Sequence, residues 1–538
     1  MNRCRLRRFS LALFTAFSVT TLPVAALSDT ATWIGGAGNW TDATKWSSGT
    51  VPNDVDGAMT DVVIDGDGDS ASSATLSSAD SATFSVWSIL IDAGDTLTVN
   101  KAKHSSTGRS LRLYASSITN CGTFVQSNGA SKNDGTCYIT SSNAFFNAAG
   151  SLYKLAGYGS YKGCHTGLTI PAEGSENNGD MLVQQPLSQS NSSSLTLTGV
   201  GRFVNNGTIT LKATGSSGTG SAYLRCNYAN APGAGAILDG TGEIVLDQED
   251  AATVGQYVRM EGVKYNDTNR STFTITNGPS HTIRGTGSIR ECALVNAGLV
   301  RAEGTNGVLT VENSSIKYGG KPICNLSTGR MVACTGAGLE IGATGTDNAR
   351  FTNEGLLEAR AGGSILFRQS LTTSANKSTN TASTPLDLSG TVAGAGTLGG
   401  KPLCLLADAT LSPGDLSNAD GTGVSTTGTL TVTTNLVLSA GTTLDFQFGL
   451  CEEGGYDTVA VEGSLALAGT LRVSALDGIR PSGIYRIFTC NPGELTGDRT
   501  SVVLDVQQGV HAPLVLVNAP EGTVDVYFPP LETIVILR

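Results

Sequence analysis

The stretch 293–311, ALVNAGLVRAEGTNGVLTV, sets short apolar segments between an Asn-Ala-Gly corner and a Thr-Asn-Gly corner. Apolar residues fall at the second and fourth places after the first Gly, as Val300 and Ala302, with Arg301 between them. The phrase returns as FVNNGTITL at 203–211 and FTNEGLLEA at 351–359, giving Ile209 with Leu211 and Leu357 with Ala359; Thr210 and Glu358 take the intervening places. A looser copy, FFNAAGSL at 145–152, carries one extra corner residue. Alternation with period two is the spacing of a strand with one buried face. Asn and Gly tolerate positive φ, so Asn-x-Gly is expected to turn the chain sharply between extended segments. Each phrase therefore reads as part of one coil of a β-solenoid.

From about 70 to 400 the chain continues as short strands separated by Gly, Asn and Ser. Gly-x-Gly followed at the second place by an apolar residue occurs at Gly157, Gly199, Gly240, Gly285 and Gly394, the first four 41 to 45 apart. Two coils of ~20 residues would give that period. At ~4.8 Å per coil the segment predicts a rod on the order of 70 to 80 Å long. The last third alternates more cleanly, at 429–432, 436–438, 444–448, 459–461, 465–467 and 471–473, with Ala-Gly and Glu-Gly turns between. The expected fold is all-β, a right-handed parallel β-helix over 70–400, with a Trp/Gly/Asp-rich cap at 27–69 and β-rich coils and a cap at 401–538.

Composition supports this reading. Gly supplies 68 of 538 residues, about one in eight against a usual ~7%, while charged residues make up 15% and aromatic ones 6%. No Gly-x-y period suggests collagen, and the regular alternation argues against disorder. Residues 1–26 read as a secretory signal: Arg3, Arg5, Arg7 and Arg8, then an apolar run from Phe9 to Val19, then Val24-Ala25-Ala26. Its removal leaves 30 Lys and Arg against 45 Asp and Glu, which disfavours nucleic acid and anionic lipid as partners. No later apolar run reaches the ~18 residues of a membrane helix. An exported protein of the extracellular space or cell surface is expected, in preference to the periplasm.

Ten Cys follow the signal, an even number that favours disulfides in an exported chain. Cys121 with Cys137 is the first expected pair, sixteen residues apart; Cys292 with Cys324 or with Cys334 is another. Zinc is disfavoured, because closely spaced Cys and His ligands are absent. Asp65-Gly-Asp67-Gly-Asp69 imitates the start of a calcium loop, with hard oxygen ligands at alternate places, although position twelve is Leu76 instead of Glu. Calcium is the one cofactor that the sequence raises, and a solvated Asp-Gly turn is the other reading of those residues.

Three of the four Trp lie in Trp33-Ile-Gly35-Gly36-Ala-Gly38-Asn39-Trp40 and Lys45-Trp46, ahead of Gly49-Thr-Val-Pro52. Bulky rings and a Gly turn suit the cap that an open solenoid end needs. Exposed rings would also suit sugar stacking, so Trp33, Trp40 and Trp46 are candidate glycan contacts. This order of Trp, Gly and Pro resembles the N-terminal segment of bacterial autotransporter-passenger-like β-helix proteins with autotransporter-associated β-strand repeats. Leu411-Ser412-Pro413-Gly414, Gly428-Thr-Leu-Thr-Val432, Tyr456-Asp457, Val461-Glu-Gly463, Leu467-Ala-Gly469-Thr-Leu471 and Gly483-Ile-Tyr485-Arg-Ile-Phe488 resemble their C-terminal coils in the same order. The resemblance covers about a third of the chain and implies a surface-exposed passenger rod. The translocator barrel of such proteins has no counterpart here.

The chain holds four His, His104, His165, His281 and His511, none beside a nucleophile elbow or in metal-ligand spacing. Glu243, Asp247, Glu249 and Asp250 are the carboxylates that a sugar-cleaving β-helix would use. The favoured reading is a non-catalytic surface or extracellular structural and adhesive rod, with a glycan or a surface protein as partner. The alternative is a polysaccharide lyase or glycoside hydrolase on the same fold. No residue is assigned a catalytic role, and the oligomeric state is left open.

Overall fold

The computed structural model describes residues 29–530 apart from 55–58, 66–70, 103–108, 129–134, 158–164, 186–191, 214–220, 228–234, 249–256, 264–273, 313–322, 343–348, 373–382, 417–425, 452–454, 477–478, 508–509 and 511. The expected signal at 1–26 lies outside the described residues. Strands dominate, and the only helical elements among the described residues are two 3₁₀ turns, Ala43–Lys45 and Arg499–Ser501. The expected all-β solenoid is what is found.

Each coil runs through three faces. In one coil Ser192–Thr198 lies on the first face, Gly201–Asn205 on the second and Thr208–Ala213 on the third. Every one pairs in parallel with its counterpart in the next coil, Ser221–Asn227, Gly235–Asp239 and Glu243–Gln248. The third face stacks 17 strands from Ala37–Asn39 to Val502–Val506, an open ladder whose first and last members each have one neighbour. At ~4.8 Å per step this rod is roughly 75 Å long.

Alternation fixes which side chains go in. Ile209 and Leu211 are fully buried, and Thr210 faces out, as the spacing predicts. The pairings run without interruption across 69/70 and 400/401. The Trp-rich segment is thus itself the first coil: Asp29–Thr32 pairs with Thr60–Ile64. At the far end Gly483–Thr489, Thr523–Phe528 and Leu514–Asn518 switch to antiparallel pairing. There Phe448, Tyr485 and Phe528 pack ring on ring at 5.2 to 5.3 Å and plug the core.

The repeat is longer than the Gly-x-Gly spacing suggests. Equivalent corner residues recur mostly 27 to 30 apart, because each coil has three strands.

The corner from the second to the third face differs from expectation in its cause. Gly207, Gly298 and Gly355 are absent from the positive-φ residues, so left-handed backbone is not what they supply. They supply room: a Cβ on each would overlap a carbonyl oxygen of the preceding coil, that of Gly179, Gly278 and Gly329 respectively. Their Asn partners turn inward. Asn120, Asn147, Asn177 and Asn205 are fully buried, and the Nδ2 of each of the first three donates to the next Oδ1 at 2.7 to 2.8 Å. The row resumes as Asn277, Asn296, Asn325 and Asn353, with bonds of 2.8 Å. The second amide hydrogen goes to a backbone carbonyl of the following coil, as from Asn296 to Arg330 and from Asn325 to Leu356, both at 3.1 Å. A buried amide whose hydrogens are both taken is stabilising, whereas one left open costs about 1 to 3 kcal/mol.

The coil between Asn205 and Asn277 has Gly240 at the ladder corner instead of an amide. The fully buried His281 ring crosses that gap. Its Nε2 lies 3.1 Å from Asn205 Nδ2 and its Nδ1 lies 2.7 Å from Asn277 Oδ1. Asn205 Nδ2 can only donate and Asn277 Oδ1 can only accept, so the ring is neutral with its proton on Nδ1. Burial pushes its pKa down to about 4, which keeps it so.

Candidate functional site

Among the described residues a polar depression opens on the third face, where one coil is cut short. Glu243–Gln248 is six residues long, but the next strand, Thr282–Gly285, reaches only as far as Leu246. Asp247 and Gln248 therefore stand with no strand beside them on that side. The following coil, Leu299–Ala302, continues into Glu303-Gly304-Thr305 and forms the opposite wall. The notch between them encloses about 500 Å³ over Gly285, Thr286 and Gly307.

Its charged groups hold one another in place. Glu243 grips Arg284 with both oxygens, at 2.6 Å to Nε and 2.7 Å to Nη2. Arg284 Nη1 reaches Glu303 Oε1 at 2.5 Å, and Glu303 Oε2 lies 2.8 Å from Arg301 Nε. Lys212 donates to Asp247 at 2.9 Å. The hydrogen bonds from Arg284 hold the Glu243 carboxyl below its usual range, and those to Glu243 raise the guanidinium in turn. Three cations thus face three carboxylates.

Glu243 and Asp247, two of the four carboxylates marked from sequence, are brought together here, each on a cation. Glu249 and Asp250 lie outside the described residues. Sequence reasoning missed Arg284, Glu303 and Thr305; the only signal was Gly285, Gly304 and Gly307, three of the five glycines between 285 and 307.

The remaining candidates lie elsewhere. Trp33, Trp40 and Trp46 are buried to within 2% of full coverage and pack edge to face at 5.0 and 4.8 Å. Their indole N–H groups donate to the Gly36, Pro52 and Trp40 carbonyls. No ring face is open to a sugar, which corrects the stacking expectation: burying three large apolar rings is what shuts the first coil. Asp65 follows the strand that ends at Ile64, and Asp67 and Asp69 lie outside the described residues. Among the described residues no three His, Cys, Asp or Glu side chains gather as metal ligands.

The expected pairing of Cys121 with Cys137 is corrected as well. No disulfide joins Cys121 to Cys137, or Cys292 to Cys324 or Cys334. Cys121 sits at an outer corner, whereas Cys137 is a first-face core residue whose thiol burial pushes up to about 12. Buried Cys here acts as a small apolar residue. His165 touches Ser192 through Nδ1 at 2.8 Å; His104 and His511 lie outside the described residues.

Two further carboxylates are buried away from the notch. Asp457 accepts from the Gly428 and Gln447 N–H groups at 3.0 and 2.8 Å, yet burial raises it to about 7. Glu358 is fully covered, 3.5 Å from Arg360, and is likewise pushed up to about 7 by burial. Asp457 ties Gly428 to the strand Thr443–Phe448.

No curated protein matches the chain. The resemblance to bacterial passenger proteins finds no support; Trp-plugged ends and Gly corners are demands of any packed solenoid. No helix among the described residues is long and apolar enough to cross a membrane. Residues 48–221, about a third of the chain and made of the first coils of the solenoid, match the family described as hyphally regulated cell wall protein N-terminal, in agreement with an exported protein of the cell surface.

Proposed function

We propose that the chain is a structural and adhesive rod of a cell wall, carried outside the cell and attached along its outer faces to wall polysaccharide. The observation that carries this reading is the match of residues 48–221 to a cell wall family, falling on coils that continue unbroken into the rest of the rod. A capped parallel stack spends its sequence on length and flat faces, which is what a wall component or tether needs. The notch carboxylates favour holding a ligand over proton transfer. Glu243 has both oxygens on Arg284, and Asp247 is held by Lys212.

The test is retention of the purified mature chain on insoluble wall polysaccharides, with released sugars measured in the same samples. Retention that survives a salt wash, without sugar release, is expected. Quantitative recovery in the wash would overturn the adhesive role. Sugar release that depends on a notch carboxylate would replace the rod by a carbohydrate-active enzyme.

A further inference from the structure

The third-face notch is built to stay open. Gly285 has φ +111, and a Cβ there would overlap the Leu246 carbonyl. A Cβ on Gly307 would overlap the Thr286 hydroxyl, and Gly304 turns the far wall at φ +102. Larger residues at these places would fill the floor or distort the coil. The walls, by contrast, are polar and braced. Thr286 donates its hydroxyl to the Glu303 carbonyl at 3.0 Å, and Arg284 is clamped from two sides. A clamped guanidinium loses little further freedom when it binds.

The chemistry of the lining narrows the ligand. Asp247, Arg284 and Glu303 line the notch, and their partners Lys212, Glu243 and Arg301, outside the lining, bring the six-group cluster to no net charge. An anion would meet the carboxylates of Asp247 and Glu303 on opposite walls. A metal cation would have to displace Lys212 from the first and two arginines from the second. Three of the five Arg284 N–H donors are used within the network, which leaves two, and Asp247 keeps lone pairs beyond the one that Lys212 takes. Donors of Arg284 and acceptors of Asp247 at one opening suit a ligand that is itself both a donor and an acceptor. A volume of about 500 Å³ lies within the usual span of small-ligand sites, ~300 to 1,000 Å³.

We propose that the notch of Asp247, Arg284, Glu303 and Thr305 is a binding site for neutral, hydroxyl-rich saccharide units of a wall polysaccharide. The proposal rests on the reading of the chain as a wall-bound rod and names where one attachment is made. Asp247 and Glu303 accept from sugar hydroxyls, Arg284 donates to ring or hydroxyl oxygens, and Thr305 forms the rim.

The test is calorimetric titration of the mature chain with laminarihexaose, cellohexaose, chitohexaose, mannohexaose and, as an acidic probe, hexagalacturonate. Saturable binding of at least one neutral hexaose is expected. Asp247→Ala should weaken it at least tenfold and Thr305→Trp, which fills the opening, should abolish it. Arg112→Ala on the first face should leave it unchanged. Thermal midpoints of both notch variants should stay near that of the parent, which separates loss of binding from loss of fold. Failure of every neutral hexaose to bind, preference for hexagalacturonate, or binding that survives both notch variants would overturn the proposal. Retention on insoluble wall material is read beside it: a chain retained by the wall despite Thr305→Trp keeps its role as a rod and loses this site, whereas a parent chain that is not retained loses both.

Discussion

The coils from 120 to 353 and those from 386 onward solve the same corner in opposite ways. In the first group, apart from the coil of Gly235–Asp239 that His281 bridges, the last residue of each second-face strand is a buried Asn, linked to the next by its side chain. In the second that place is Leu388, Leu405 and Leu438, paired coil on coil and buried to within 3% of full coverage. Leu386, Leu403, Leu436, Leu465 and Leu495 form a second apolar row beside them. An amide row is directional and fixes register, because each member needs its neighbour's oxygen; an apolar row accepts any side chain of about the right volume. The two halves should therefore respond differently to the same kinds of change.

The largest effect is expected from moving one half's residue into the other. Leu405→Asn deletes apolar volume and buries an amide among leucines, at a cost of about 4 kcal/mol in denaturant unfolding. Asn296→Leu takes away the side-chain acceptor of Asn277 and leaves Asn325 Oδ1 without a donor, and about 2 to 3 kcal/mol is expected. Equal tolerance of both swaps would erase the distinction.

Next comes the corner Gly. Gly298→Ala drives a Cβ into backbone oxygens of Gly278 and His281 that are tied into the sheet, so a loss of about 3 kcal/mol is expected. Gly94→Ala sharpens the point: its φ is +94 and a Cβ there meets nothing, so only the left-handed penalty of about 1 to 2 kcal/mol remains. A similar cost at both sites would mean that φ, not space, selects Gly at these corners.

A further effect, of about the size of the Gly94 penalty, is in pH, and it has opposite signs in the two halves. Between pH 6.5 and about 4 the unfolded His281 is protonated while the folded ring is not, so stability falls as pH drops through that window. About 2 kcal/mol is expected to be lost from pH 7 to pH 5. Asp457 runs the other way. Its unfolded carboxyl ionises near 3.8 and its folded one near 7, so its contribution is lost as pH rises across that range. Denaturant unfolding of His281→Asn and Asp457→Asn at pH 5 and pH 7 checks the pair: the first variant should remove the loss on acidification and the second the loss on alkalinisation.

Much of the solenoid was legible because a strand that buries one face must alternate, and the chain alternates around Ile209, Val300 and Leu357. The three-strand coil was not, because the 41-to-45-residue Gly spacing fits no whole number of 28-residue turns. Asn-x-Gly marked the corner correctly, but its purpose depends on how close the neighbouring coil's carbonyls lie, which a single coil does not reveal. Similarly, the Trp segment pointed to an end of the rod while leaving open whether its rings face in or out. The notch was invisible since it arises from a strand two residues shorter than the one it stacks on, and pairs Asp247 with residues 37 to 58 positions away. His281 read as an isolated His; only stacking shows that it bridges the gap left in the amide row by the coil that carries Gly240.

The most direct test of the two-row account is local hydrogen exchange on the parent chain and Asn296→Leu at neutral pH. In a stack whose coils touch only their neighbours, damage should stay near its origin. Loss of protection across 274–333 with 386–506 unchanged is the expected result. Uniform loss along the rod, or no change around Asn296, would show that the buried amide row does not hold this part of the molecule together.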